Sequence, residues 1–384
     1  MTKTIRQILT ETPLIDGHND LPWQFHKLSE AGLDGIELAD DTTKLTPPLA
    51  TDLKRLQAGG VGGQFWAVYV PASMHGAEAV AMLLEQMDRV HRFINRHCDK
   101  LELALTADDV VRVHGQGKIA SLIGLEGGHG IHNSLAVLRM SRALGARYMT
   151  LTHVKNNDWA DASTDLPAHH GLTPFGGEVV REMNRLGMMV DLSHVSDETM
   201  RAAISISAAP VICSHSGARA LCHHARNVPD DLLKAIAGTG GIIMVPFLPA
   251  YVTEEDRLDD VAAQQEMGRF TKLHSGDPAQ AEKELAEWRK AHPAPRKSGV
   301  RDVADHVDHI RDVAGIDHVG IGSDFDGFKN PPSGLEDVSC FPALLGELQN
   351  RGYSESDLKK VAGENLLNVM RAVEQTAEKS SVAN

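Results

Sequence analysis

What most constrains the fold of this chain is a pattern that recurs eight times: a short apolar run, a polar stop, then other structure before the next run. The runs are Leu14–His18, Phe65–Val70, Ile119–Leu125, Tyr148–Thr152, Met188–Leu192, Val211–Ser214, Ile242–Val245 and Val319–Ser323. Several are almost continuously apolar, as strands buried on both faces are. Between most of them lie stretches with apolar positions at helical spacing: Ala77–Asn95, Leu135–Leu144, Phe175–Leu186, Asp197–Ile206, Pro229–Ala237 and Val303–Val313. Eight strand–helix units predict an α/β fold of the (β/α)8 TIM-barrel type, with a doubly wound open sheet as the rival.

Residues 1–384 read as a single barrel domain with one departure. Pro249–Gly299 is long and charged, with helical character over Gln280–Lys290, and ends in Ala291-His292-Pro293-Ala294-Pro295. Following the seventh run, it is expected to be a helical insertion (249–299) that covers the barrel mouth or makes a subunit contact; a solvated helix without a role is the plainer reading. Ser354–Val373 is expected to be a closing helix, with Ser354-x-x-Asp357 as a variant capping box.

Composition narrows the class of partner. The chain is 42% hydrophobic and 23% charged, an ordinary globular balance. A net charge of −14 argues against nucleic acid or an anionic membrane as the main partner. Cys98, Cys213, Cys222 and Cys340 form no C-x-x-C pair and are too sparse for a disulfide scaffold. Met1–Glu11 has no apolar leader core, Glu378–Asn384 is no hydrophobic tail, and no run approaches the roughly 18 apolar residues of a spanning helix. The expectation is a soluble cytoplasmic protein.

The runs stop on a narrow set of residue types. In Thr12–Asp20 the first run ends on His18-Asn19-Asp20, and in extended chain residues i and i+2 face the same way. Later stops are Glu126, His153, His194, His215 and Asp324. A single histidine such as His215 is more often a hydrogen-bonded structural residue than a ligand. Six of eight runs ending on His, Asp or Glu is a different observation, because a barrel carries its function where strands give way to loops. Three histidines with two or three carboxylates exceed the needs of one tetrahedral zinc and suit two metals about 3.5 Å apart. Strand-end residues that merely satisfy one another would bury many charges without a cation, at a cost. His169, His170, His223, His224, His306 and His309 are assigned to surface or supporting positions. Lys155 could bridge metals as a carbamate, but Glu126 already offers a bridging carboxylate.

At this point the chain resembles the membrane dipeptidase (renal dipeptidase) family of metallopeptidases, in the manner of a soluble bacterial-type member. The resemblance rests on Asp16-Gly17-His18-Asn19-Asp20-Leu21-Pro22, Gly124-Leu125-Glu126-Gly127-Gly128, Leu151-Thr152-His153, Trp159-Ala160-Asp161 and Asp191-Leu192-Ser193-His194. It continues through Ser214-His215-Ser216, Arg226-Asn227-Val228-Pro229-Asp230, Gly322-Ser323-Asp324-Phe325-Asp326-Gly327 and Gly363-Glu364-Asn365-Leu366-Leu367. The resemblance implies a barrel with two zinc ions, one held by His18, Asp20 and Glu126, the other by Glu126, His194 and His215. His153 would touch the substrate carbonyl, Arg226 would bind a dipeptide's terminal carboxylate, and Asp324 would shuttle the proton, with Asp326 structural. A metal-bridging hydroxide would attack the peptide bond of L,L and L-Xaa-D-Xaa dipeptides. A homodimer is compatible with this reading. The mammalian members are secreted, disulfide-bonded and lipid-anchored, features not matched here. The alternative function is that of a related binuclear amidohydrolase acting on cyclic amides, lactones or phosphoesters; a non-catalytic metal binder is the reading from another class.

Overall fold

The computed structural model describes residues 3–30, 36–293 and 297–382. The Ala294-Pro295 end of the expected insertion and the two residues at each chain end lie outside them. Among the described residues nine strands form one parallel sheet: β1 (Leu14–Asn19), β2 (Val61–Tyr69), β3 (Leu101–Leu103), β4 (Ile119–Glu126), β5 (Ala146–Thr150), β6 (Met189–Asp191), β7 (Val211–Cys213), β8 (Ile242–Val245) and β9 (Val319–Ile321). Pairing runs β2-β1-β9-β8-β7-β6-β5-β4, and β2 also pairs with β4, from Gly63↔Ala120 to Tyr69↔Glu126. That last pairing closes an eight-stranded parallel barrel, which excludes the open sheet. The ninth strand, β3, has no counterpart among the expected runs. It is three residues long, too short to show a period, and pairs only with the start of β4.

Alternation along each strand divides the apolar residues into two clusters. Ile243 and Val245 of β8 face outward to the helices with Ile123, Leu125, Val190 and Val319. Ile242 and Met244 face inward with Ile15, Phe65, Leu122, Met189 and Ile212. Leu366, Leu367, Val369, Met370 and Val373 of the helix Asn365–Val382 join the inner cluster and close the floor.

The six expected helices are present, within a few residues of their expected bounds, as Gly76–Arg96, Leu135–Ala143, Pro174–Leu186, Asp197–Ile206, Asp230–Gly238 and Val300–Ala314. The expected C-terminal helix is present, helical throughout from Glu355 to Val382, with a π-turn within it. The capping box of Ser354 and Asp357 opens Glu355–Lys359, and the π-turn at Lys360–Glu364 joins it to Asn365–Val382. The segment after β8 folds as Pro249–Val252, Glu254–Leu273 and Pro278–Ala291, the last two joined by Arg289–Asp259 and His274–Glu284 ion pairs at 2.6 and 2.8 Å. Among the described residues no helix is long and apolar enough to cross a membrane.

Candidate metal centre

The strand ends deliver the polar residues to one point. His18 is the penultimate residue of β1 and points into the mouth, whereas Asn19 points away and caps the next helix, accepting from the Leu21 amide at 2.9 Å. Asp20 follows on the same side as His18, with His18 Nε2 3.6 Å from Asp20 Oδ2. Glu126 ends β4. His153, His194, His215 and Asp324 lie two or three residues beyond β5, β6, β7 and β9, so the runs turn over earlier than their apolar content implied. His194 (φ 70°) and Asp324 (φ 66°) adopt the left-handed conformation, which costs non-glycine residues about 1 kcal/mol or more and persists where the surroundings enforce it. The Asp324 amide is held by the His18 carbonyl at 3.1 Å.

One oxygen is the hub. Glu126 Oε1 lies 3.1 Å from His194 Nε2, 3.5 Å from His18 Nε2, and 3.7 Å from Nε2 of both His153 and His215. His194 Nε2 and His215 Nε2 are 3.0 Å apart. Three groups have ligand atoms close enough for a shared cation: His18–Glu126–His215, Glu126–His153–His194 and His18–Asp20–Asp324. The expected residues are therefore brought together. The distances do not by themselves divide them into the pair of ligand sets that the resemblance implies, because Glu126 and His18 belong to more than one group.

The electrostatics fit a bound cation. Burial pushes the Asp324 carboxyl well above the ordinary range and the neighbouring Asp20 carboxylate adds to it; Asp20 is raised by burial and by Glu126. Burial also holds His194 and His215 well below the usual imidazole range, reinforced by neighbouring cationic groups, chiefly Arg226 and His153 for His194 and His18 and Arg226 for His215. Against the pull of burial, His18 is shifted the other way, upward beside Tyr148, Glu126 and Asp20, and Glu126 downward beside His18 and His153. The cluster thus favours a positive charge at its centre, which a metal would supply in place of a proton. Neutral imidazole nitrogens aimed at one another across 3.0 Å with a carboxylate between them supply the donor set of a borderline divalent metal.

Arg226 sits in the loop before the helix Asp230–Gly238. Asn227 pins that loop, accepting from the Gly217 amide at 3.0 Å and donating to the Cys222 and Tyr251 carbonyls at 2.9 and 2.8 Å. The Arg226 guanidinium is 1% exposed and lies 5.3 Å from the Tyr251 ring centroid. Its side chain donates to Ser216 Oγ and the His215 carbonyl, both at 3.2 Å, and its Nε has no partner. Among the described residues no carboxylate lies within ion-pair distance of it. A cavity of about 260 Å³ joins the metal residues to Trp23, Tyr69, Leu248 and Tyr251. A second, of about 810 Å³, shares Leu248, Tyr251 and Gly327 with it and is walled by the helices after β8.

The sequence profile of the membrane dipeptidase family, peptidase family M19, matches residues 2–384. The chain belongs to this family. Dipeptidase 3 of Mus musculus is 39% identical over 378 residues, covering 97% of this chain and 67% of that protein. Dipeptidase verJ of Clonostachys rogersoniana is 39% identical over 384 residues, covering 97% of this chain and 87% of its own. The crystal structure of the probable dipeptidase PvdM from Pseudomonas aeruginosa superposes with a TM-score of 0.82 at 26% identity, covering 97% of this chain and 98% of that one. Membership makes the chain an enzyme, a dipeptidase.

Other expectations about this dipeptidase can be placed. Lys155 is turned outward to Asp165 at 3.3 Å with its side chain 62% exposed, away from the cluster. Asp326 Oδ1 accepts from the Ala50 amide at 2.6 Å, so this carboxylate braces a loop, whereas Asp324 faces His18 and Asp20. His306, among the histidines set aside, is buried; its Nδ1 accepts from the Ala218 amide at 2.9 Å and its Nε2 donates to the Val252 carbonyl at 2.8 Å. It supports the Arg226 loop from below. Sequence reading passed over the aromatic residues Trp23, Tyr69 and Tyr251 that wall the cavity, and Tyr148 beneath His18. Each reads as ordinary core, since nothing in an apolar run distinguishes a ring that packs from a ring whose hydroxyl is used.

Proposed function

We propose that this enzyme is a zinc-dependent dipeptidase that holds two zinc ions on His18, Asp20, Glu126, His194 and His215 and cleaves dipeptides with a free C-terminal carboxylate, L-Xaa-D-Xaa as well as L,L. The observation that carries it is Arg226: a buried guanidinium with no acidic partner among the described residues, beside a cluster suited to metal. A buried unpaired cation is costly, and a ligand carboxylate would supply its counter-charge in a two-pronged fit.

Zinc, when bound, supplies a Lewis acid for the scissile carbonyl and a water of lowered pKa. The chain's residues do the rest. Arg226 fixes the terminal carboxylate and so the distance from it to the peptide bond. Asp324, kept basic by burial and by Asp20, takes a proton from the attacking water and gives it to the departing amide nitrogen as the C–N bond breaks. His153 Nε2 donates to the carbonyl oxygen as negative charge develops there, a contribution of about 3–4 kcal/mol for a well-placed donor. Glu126 ties the two halves of the ligand set through Oε1.

The test is a panel on the zinc-loaded enzyme: L,L and L,D dipeptides, their C-terminal amides, and cyclic amides, lactones and phosphoesters. Free dipeptides should be cleaved with the highest kcat/KM. Turnover of the cyclic or phosphoester substrates without the dipeptides would replace this reading with that of the related amidohydrolase.

A further inference from the structure

His18 and His215 can bind metal through Nε2 only if the remaining proton of the neutral ring is on Nδ1. The structure shows what holds it there. His18 Nδ1 lies 2.9 Å from the Tyr148 hydroxyl, and that hydroxyl donates its single proton to the Gly17 carbonyl at 3.1 Å. A carbonyl can only accept, so the arrangement that satisfies both contacts has the phenol donating to Gly17 and accepting from His18 Nδ1–H. The second ring repeats the logic with different parts. Ser214 Oγ donates to Asp191 Oδ2 at 2.6 Å and lies 2.8 Å from His215 Nδ1, which must therefore donate to it. Asp191 is held as an acceptor by the Ser193 and Ser214 amides at 3.1 and 2.8 Å and by Thr150 Oγ1 at 2.5 Å.

We propose that Tyr148 and Ser214 are positioning residues that fix the Nδ1–H tautomer of His18 and His215 and thereby aim two bare Nε2 atoms at Glu126. The proposal rests on the metal-ligand reading above. Any proton lost on coordination must leave from Nε2, because Nδ1 keeps its own in every state that donates to the hydroxyl. His194 has no such support, its Nδ1 being without a partner, so the device is specific to two of the rings. Gly124 completes it. A Cβ there would lie 2.0 Å from Tyr148 Cζ, so the phenol can cross the barrel interior to His18 only because this inward position of β4 is empty. Tyr148 also packs on Phe65 at 5.0 Å between centroids, which a phenylalanine would preserve.

The experiment measures zinc affinity by chelator competition, with melting temperature and NMR of the histidine ring protons as separate readouts. Tyr148→Phe should weaken one zinc by roughly 10- to 100-fold, the usual effect of losing a ligand's outer hydrogen bond, and leave the other within about threefold. Ser214→Ala should weaken the other zinc instead. The exchange-protected Nδ1–H signal of His18 should be present in wild type and lost in Tyr148→Phe. Gly124→Ala, by displacing the phenol, should reproduce the zinc loss of Tyr148→Phe. Both zincs held within threefold by Tyr148→Phe, or a lower melting temperature with unchanged zinc affinity, would overturn the proposal. Wild type that binds no zinc yet shows the protected Nδ1–H signals would instead sink the metal reading and leave the tautomer assignment standing.

Discussion

Replacing Arg226 by methionine removes the charge and the donors while keeping most of the volume. A guanidinium has five N–H donors, and two are used, on Ser216 Oγ and the His215 carbonyl. Three remain for a ligand, enough for a two-pronged grip on a carboxylate. Two charge-assisted bonds at about 1.5–3 kcal/mol each give a loss of about 3–6 kcal/mol on free dipeptides, roughly 10²- to 10⁴-fold in kcat/KM. On the matching dipeptide amides the loss should stay below about tenfold. Stability should move the other way. The native guanidinium is buried with no carboxylate at ion-pair distance among the described residues, so Arg226→Met should melt at the same temperature or higher. The assay is therefore paired: kcat/KM on acid and amide substrates, and thermal unfolding of the same preparations. Equal losses on both substrates would refute the carboxylate anchor, and a large drop in melting temperature would show that Arg226 serves the fold.

Further outcomes follow from the same geometry. Chelation should abolish activity and lower the melting temperature, with about two equivalents of zinc restoring both; restoration by one equivalent would refute the two-metal reading. His18→Ala or Asp20→Ala should release one zinc in chelator titration and leave the ion on His194 and His215 bound; joint loss would show the ligands are divided differently. Asp324→Asn should lower kcat by roughly 10²- to 10⁴-fold with little change in KM, whereas Asp326→Asn should leave kcat within a few-fold. Burial raises Asp326 to about 6, so the native state of the zinc-free protein holds a proton there that the unfolded chain has lost. Stability should therefore fall as pH rises from about 4 to about 6, by on the order of 3 kcal/mol, and Asp326→Asn should flatten that slope in urea titrations.

The barrel and the cluster of acids and imidazoles at its mouth were legible for one reason: a charged or imidazole side chain that ends an apolar run is conspicuous. Glu126 ends its strand on the inward parity of Leu122, as the period of two says. Strict alternation from the inward Ile15 would instead turn His18 outward, and it reaches the mouth with Asp20 across the register shift of β1 between Asp16 and Asn19. Residues carried on turns were harder to read. His194 and Asp324 reach the centre through left-handed backbone that no pattern of hydrophobicity encodes. Arg226 came from a motif match alone, since a loop arginine carries no sequence signal of burial. Tyr148 and Gly124 were invisible because their use depends on an atom-to-atom fit across the barrel between β1, β4 and β5. The strand β3 was passed over as too short for a period. The helix Glu254–Leu273 was covered only by the expectation of a helical insertion over 249–299, because it is too polar to show a buried stripe that would fix its bounds.

The floor of the barrel has a consequence for how the chain is made. Its inner layer, including Phe65, Leu122, Met189 and Ile212, is sealed by Leu366, Leu367, Val369, Met370 and Val373, which follow the described strands in the chain. Until they emerge, every strand is already synthesised but the inner apolar surface has no cover at that end. A chain stopped short of Leu366 thus presents a sticky layer to the cell, and holding it for chaperones or clearing it by proteolysis becomes part of the cost of building this enzyme.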